Sequence, residues 1–402
     1  MTFLHSADWH IGKPFTAFGD AGEGLRQTRV DTLRRALELG RAEAVDFFII
    51  AGDLFEDHQI ARQWIDAVYD LFERYCDFPI VVAPGNHDPS GGPETIWRRE
   101  PFAQPPEHVH IIHETKRLEF DAANLVVSPL FQKRSSEDPS RRLEPHIEVI
   151  GDDERPIIGV THGALNLLGE AVANDHPINP EAASNLGLDY LALGHWHNGS
   201  EVDEGRVVMP GTPEPDSFGL SAAGDVVLVS IHQRGDIPKT RRHRIAALEW
   251  IHERMDVGDP EELTSRLHGW SEGLANSVVR VTLDGFAEAE ALRGIRERVD
   301  HSIERAFARQ VVDQSSPRLS DRALERLALE RPLLAELIDE LDGMEAALLG
   351  AESHSAQRAK PMGLAEMESI AQSLRLSLSD MDADFFKAAR RRLYADLQES
   401  LQ

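Results

Sequence analysis

Five short apolar runs between residues 3 and 197 each end in a turn of Asp, His, Asn and Gly, and this recurrence limits the possible folds more than any other feature. Phe3-Leu4 leads into Asp8-Trp9-His10, and Phe47-Phe48-Ile49-Ile50-Ala51 into Gly52-Asp53. Pro79 to Ala83 leads into Gly85-Asn86-His87-Asp88, Ile157 to Val160 into Thr161-His162-Gly163, and Leu188 to Leu193 into Gly194-His195-Trp196-His197. Short runs without polar alternation fit strands covered on both faces. Between the first three lie helical stripes: Leu25, Val30, Leu33 and Leu37, then Ile65, Val68, Leu71 and Phe72. Strand and helix in alternation predict an α/β domain with a largely parallel central sheet. The polar turns then fall at the carboxyl ends of strands, where open α/β sheets hold ligands.

The residue types in those turns point to metal chemistry. Hydrolysing a phosphate ester near neutral pH needs an acidified water and a way to absorb charge in the transition state. Two divalent cations about 3.5–4 Å apart supply both. Such a pair needs a carboxylate able to bridge, plus neutral imidazole and amide donors. Asp53, directly after a buried run and a glycine, is the natural bridge. Asp8 and His10 can grip one ion, His195 and His197 can divide between the two, and Asn86 and His162 add neutral donors. A lone Asp-x-His or His-x-His is commonly surface decoration, and a lone Gly-Asp a turn. Five such motifs in one chain, each ending an apolar run, are not explained that way.

The order Asp-x-His, Gly-Asp, Gly-Asn-His-Asp, His-Gly, Gly-His-x-His resembles that of the calcineurin-like metallophosphoesterases. Ser6-Ala7-Asp8-Trp9-His10-Ile11-Gly12, Ala51-Gly52-Asp53-Leu54-Phe55 and Met209-Pro210-Gly211-Thr212-Pro213 look, more narrowly, like the SbcD-type DNA repair exonuclease branch. The resemblance implies an α/β fold in which a sandwich of central β-sheets is flanked by helices. It implies one ion on Asp8, His10, Asp53 and His197 and a second on Asp53, Asn86, His162 and His195, with manganese preferred. His87 would face the phosphate as the catalytic group, with Asp88 its neighbour. Two positions depart from the branch. Glu56-Asp57 follows Leu-Phe where the branch often has Asp, and Gly219-Leu220 follows Phe218 where an acidic residue is common. Neither is a metal ligand, so they bear on substrate preference.

Charge complicates a nucleic-acid substrate. Lys and Arg number 42 against 69 Asp and Glu, a formal charge of −27, whereas polyanion affinity rests on cationic side chains. Bound divalent ions and a basic partner can alter the local field. The densest basic cluster, Lys239, Arg241, Arg242, His243 and Arg244, is a candidate DNA contact or a solvated connecting strand. Trp9 and Trp196 sit inside ligand motifs, where packing beneath the loops is favoured over stacking on a base. One cysteine, Cys76, excludes an internal disulfide and a thiolate cage, and reads as a half-buried structural thiol. With no long apolar run and a strand-like N-terminus, the chain reads as soluble, cytoplasmic and free of any membrane.

The expected organisation is a catalytic domain over 1–236, a small α+β capping domain over 237–316 and a helical partner-binding region over 317–402. Leu327, Leu334, Leu341 and Leu348 recur every seven residues, with Leu337 and Met344 between them. That seam can pack on the chain's own body or form a homodimer. The resemblance implies that C-terminal helices hold an SbcC-type coiled-coil ATPase, and the segment with Phe385, Phe386, Leu393, Tyr394 and Leu397 is the second candidate for that contact. The functional expectation is a DNA exonuclease and endonuclease subunit. Its rivals are a phosphodiesterase or phosphatase for small nucleotides or phosphoproteins, and a metal-stabilised non-catalytic scaffold.

Overall fold

A computed structural model describes residues 1–318 except 76, 168–173 and 271–272, together with residue 329. Cys76, the seam of Leu327, Leu334, Leu341 and Leu348, and the terminal segment with Phe385 and Tyr394 lie outside the described residues. So does the helical region expected beyond 318. Among the described residues no helix is long and apolar enough to cross a membrane.

The strands are β1 (Thr2–Ser6), β2 (Phe47–Ala51), β3 (Ile80–Ala83), β4 (Val109–Ile111), β5 (Lys116–Glu119), β6 (Asn124–Val127), β7 (Ile157–Val160), β8 (Tyr190–Ala192), β9 (Ser200–Val202), β10 (Val207–Met209), β11 (Asp225–Ser230) and β12 (Lys239–Arg244). The helices among them are α1 (Ala21–Ala42), α2 (Arg62–Arg74), α3 (Glu144–Glu148) and α4 (Ala182–Leu186). These strands form two six-stranded sheets, in the orders β12-β11-β1-β2-β3-β4 and β5-β6-β7-β8-β10-β9. In the first, β1 to β4 are parallel, with Phe3 opposite Phe47 and Ile49 opposite Val81. β11 and β12 close its edge antiparallel. In the second, β6, β7, β8 and β10 are parallel, with β5 and β9 antiparallel at the edges. The largely parallel sheet expected from the alternation is one of a pair of mixed sheets, and the pair forms the expected α/β sandwich.

Strand alternation explains why β2, β3 and β7 contain no polar residue. Phe47, Ile49 and Ala51 of β2 join Phe3, Val81, Leu125, Ile158 and Tyr190 in a core contributed by both sheets. Phe48 and Ile50 of the same strand pack instead with Leu33 and Leu37 of α1 and Val68 and Phe72 of α2. A third core sets Val126, Leu191 and Met209 against Ala182 and Ala183 of α4. Each such Val, Leu, Ile, Phe or Met side chain contributes roughly 1.5–3 kcal/mol by leaving water. The result is helices, sheet, sheet, helices, with the polar turns at the carboxyl ends of both sheets.

The chain divides into two compact units. The first takes Met1–His252, Gly273–Val279 and Ala306–Gln310, and the second Glu253–Glu272, Arg280–Arg305 and Val311–Gln402. A three-stranded sheet runs in the order β13 (Glu249–Asp256), β14 (Ser277–Asp284), β16 (Ala308–Asp313), while β15 (Phe286–Ala287) pairs with β17 (Ser316–Pro317). The second unit carries helices α5 (Pro260–His268) and α6 (Ala289–Ser302).

Candidate metal centre

The strand ladders continue into the turns and aim them. Asp8 N–H donates to Gly52 O at 3.1 Å, His10 N–H to Asp53 O at 3.0 Å, and Gly163 N–H to Gly194 O at 3.3 Å. Asp8, His10, Asp53 and His195 hold positive φ values of 56, 42, 53 and 119°. Non-glycine residues avoid that region, and such strain clusters where surrounding structure over-determines it. Two glycines are required by close approach. A Cβ on Gly52 would strike the His162 imidazole, and one on Gly85 the Asp53 carboxylate.

The structure brings all seven expected ligands together. Asp8, His10 and His197 present ligand atoms within 4.8 Å of one another, as do Asp8, Asp53 and His162. Asn86 Oδ1 lies 2.7 Å from His162 Nε2 and 3.0 Å from His195 Nδ1. Asp53 Oδ2 faces both ligand sets, 3.3 Å from His162 Nε2 and 3.8 Å from His10 Nε2.

The outer nitrogen of each imidazole decides which atom points inward. His10 Nδ1 lies 2.9 Å from Glu56 Oε2, and His197 Nδ1 lies 3.0 Å from Asp216 Oδ1. His195 Nε2 lies 3.0 Å from Asp175 Oδ2, and His162 Nδ1 lies 2.9 Å from Ala51 O. An oxygen acceptor at one ring nitrogen fixes the proton there and leaves a lone pair on the other. Four lone pairs therefore converge. His10 Nε2 and His197 Nε2 face each other at 3.0 Å, and His162 Nε2 faces two oxygens. Two lone pairs do not meet at hydrogen-bond distance without positive charge near them. These residues thus fit divalent cations, with neutral nitrogen and carboxylate oxygen donors of the kind that suits manganese, iron or zinc.

The electrostatics express the same demand for positive charge, since the neighbouring carboxylates draw a proton to His162 where a cation would otherwise answer them. Burial pulls His162 down, but Asp53 outweighs it and lifts the ring to about 9. Burial raises Asp53, yet His162 and His10 hold it below the usual carboxylate range. Burial pushes Asp8 up to about 6 and His10 down to about 4.

His87 lies beside these ligands. Its backbone N–H donates to Asp53 Oδ1 at 2.8 Å, Nδ1 meets Glu56 O at 3.0 Å, and its ring stands 4.6 Å edge-on from that of His10. It also forms a possible ligand group with His10 and Asp53. Asp88 is placed differently from a partner of that imidazole. Its Oδ1 accepts from Gly85 N–H at 2.8 Å and its Oδ2 from Phe55 N–H at 2.9 Å, pinning the two loops together. Burial, then Asp53, pushes Asp88 up to about 7.

Behind the ligands stand residues that sequence reasoning did not single out for these roles. Asp216 Oδ2 accepts from Lys13 Nζ at 2.7 Å while Oδ1 holds His197. Arg29 of α1 is fully buried, and donates to Trp9 O at 2.6 Å, Glu214 O at 2.9 Å and Thr212 Oγ1 at 3.0 Å. It ties the Asp8–His10 turn to the Pro-Gly loop. Glu56 was visible only as a departure from a pattern, and Asp216, three residues past the Pro-Gly motif, was not singled out at all.

Trp9 is buried, its indole donating to Ser6 Oγ at 2.9 Å, and Trp196 packs against the third core. The basic cluster forms edge strand β12. Arg242 donates to Pro210 O and Met209 O, Arg244 to Ala223 O, and Arg241 pairs with Glu43 at 2.9 Å, while Lys239 is exposed.

Residues 1–199, about half of the chain, match the calcineurin-like phosphoesterase family. This region belongs to that family. The phosphoesterase is 24% identical to the uncharacterized metallophosphoesterase YhaO of Bacillus subtilis, over 89% of this chain and 91% of that one. It is 25% identical to the SbcD component of nuclease SbcCD from the same organism, over 58% of this chain and 66% of that one. With the SbcD component of nuclease SbcCD from Escherichia coli K12 it shares 23% identity, over 92% and 99%. Phosphoesterases of this family use a dinuclear metal centre, and the phosphoesterase here is a hydrolase by membership.

Proposed function

We propose that the chain is a cytoplasmic DNA phosphodiesterase, an exonuclease and endonuclease of DNA repair. In this reading it is the nuclease subunit of a complex with an SbcC-type ATPase and works with two manganese ions. The observation that carries the chemistry is the convergence of four imidazoles, three with the outer nitrogen hydrogen-bonded to Ala51, Asp175 or Asp216 and the fourth, His10, with Nδ1 2.9 Å from Glu56. What supports the substrate is the similarity to the SbcD component of nuclease SbcCD, along nearly the whole of the Escherichia coli chain.

Asp8, His10, Asp53 and His197 would hold one ion, and Asp53, Asn86, His162 and His195 the other. Bound there, the pair supplies Lewis acidity toward the phosphoryl oxygens and a water of lowered pKa. Asp53, whose carboxylate faces both ligand sets, would be shared by the two ions, and its Oδ1 fixes the His87 backbone. With Nδ1 donating to Glu56 O, His87 keeps Nε2 to hold or deliver a proton at the leaving oxygen. Asp88 positions the turn that carries Asn86 and His87. Lys239 and Arg241 on β12 are candidate contacts to the DNA backbone.

The test is digestion of end-labelled single- and double-stranded DNA with manganese, with and without the candidate ATPase, beside a chromogenic diester. Cleavage of DNA is expected. Turnover of the diester alone would favour a small-nucleotide phosphodiesterase, a reading that the net charge of −27 also suits.

A further inference from the structure

The segment 136–142, which precedes α3, lines a cavity of about 860 Å³ together with Asn166 and the segment 177–180. Ser136, Arg141, Arg142, Asn166 and Asn179 contribute to its lining. Two of the lining strips follow residues of the centre closely in sequence. Asn166 lies four residues beyond His162, and Asn179 lies four beyond Asp175, whose carboxylate meets His195. The strips are tied by Asn166 N–H to Ile178 O at 3.0 Å and Ile178 N–H to Ala164 O at 2.8 Å. Four residues span at most about 14 Å, so the cavity is within a few nucleotides of the reacting phosphate.

Its chemistry is unusual for this acidic chain. The exposed segment Phe131-Gln132-Lys133-Arg134 leads into it, and Lys133, Arg134 and Arg141 form no ion pair among the described residues. Two groups on its wall, Arg142 Nη1 and Asn166 Oδ1, are buried without a hydrogen-bond partner. Such atoms are costly unless something polar meets them. Phe131 is 38% exposed, with the Arg142 guanidinium 5.1 Å over its ring. The acidic neighbours are already engaged, Glu137 with Arg142 at 3.3 Å and Asp138 with Ser140.

We propose that this cavity seats the single strand adjoining the phosphate being cut. Lys133, Arg134 and Arg141 face its phosphates, Asn166 and the inner nitrogen of Arg142 meet polar edges of a nucleotide, and a base stacks on Phe131. Cations that track a backbone beside an aromatic face are what single-stranded nucleic acid needs. An unstacked base is required to use Phe131, which selects single strands over a closed duplex. The inference rests on the nucleic-acid reading above and adds where the strand lies.

Two variants test it. K133E/R134E/R141E alters three exposed cations, and Phe131→Ala an exposed ring, so neither touches the metal ligands. Metal content and turnover of a chromogenic diester should match wild type in both, which controls for folding. For a labelled oligonucleotide, the triple variant should raise KM at least tenfold and flatten the salt dependence of binding. Phe131→Ala should weaken single-strand binding without changing that salt slope. Unchanged oligonucleotide KM and salt slope in the triple variant, with wild type cutting DNA, would overturn this placement alone. A wild-type protein that turns over the diester but neither binds nor cuts DNA would overturn the nucleic-acid reading and this inference together. A free mononucleotide competing as well as the oligonucleotide would also overturn it, because the cavity would then be a small-ligand site.

Discussion

The backbone N–H of His195 lies 3.0 Å from each carboxylate oxygen of Asp8, so the ligand loop of one sheet is hydrogen-bonded directly to the ligand loop of the other. Burial and that bond act oppositely on Asp8, and burial is the larger. The first ligand motif is therefore held by the last, and disturbance of either propagates to both.

Asp53→Asn should be the most damaging conservative change in the centre. It keeps shape but removes the charge that faces both ligand sets. Metal content, measured by elemental analysis after gel filtration, should fall from two ions, and hydrolysis should drop by more than about a hundredfold. Two tightly held ions with near-normal turnover would sink the bridging assignment.

His87→Ala separates holding metal from doing chemistry. Metal content should stay at two while the rate falls by roughly 10²–10⁴. Loss of an ion on this substitution would make His87 a ligand, a possibility its grouping with His10 and Asp53 leaves measurable.

Asp216→Asn tests the support of His197. The carboxylate fixes the Nδ1 proton and turns Nε2 inward, so its loss should weaken affinity for one ion by roughly 10–100-fold. Manganese titration of activity should show a higher requirement with a maximal rate largely restored at saturation. An unchanged requirement would mean that Lys13 and Asp216 pair for reasons unrelated to the metal.

His5 predicts a pH dependence of stability. Its Nδ1 meets Tyr190 OH at 2.8 Å and its Nε2 meets Leu193 O at 3.1 Å, and burial lowers it from 6.5 to about 3. Above about pH 6.5 the ring is neutral folded and unfolded, and contributes no slope. Below that, only the unfolded chain takes the proton, so stability falls with pH toward about 3, by up to about 1.4 kcal/mol per unit. Chemical denaturation of wild type and His5→Gln from pH 7 to 5 should show a shallower fall in the variant. Parallel curves would refute the assignment.

The parts of the fold that the sequence made legible are those buried on both faces. Phe47–Ala51 and Ile157–Val160 are strands because one set of side chains enters the shared core and the other meets helices or loops. Ligand turns were legible for the same reason, since Asp, His and Asn at strand ends have no packing role. β12 was read only as a DNA contact or a solvated connecting strand, because Lys239 to Arg244 are polar throughout and their place in the sheet comes from pairing with β11. The second sheet was split across short strands such as β5 and β9, whose edge positions need little apolar sequence. Glu56, Asp175, Asp216 and Arg29 escaped because spacing along the chain does not encode which imidazole a carboxylate will meet. Arg29 is extreme, a charged residue on a helix stripe that is completely enclosed.

The division of the ligands between two sheets also sets a timetable for the nascent chain. Asp8, His10, Asp53 and Asn86 follow strands of the first sheet, whereas His162, His195 and His197 follow strands of the second. The edge of β1 stays open until β11, at Asp225–Ser230, emerges to cover it. Contacts this distant in sequence form late. The metal centre thus stays incomplete until His162, His195 and His197 have been made and the second sheet has closed on the first.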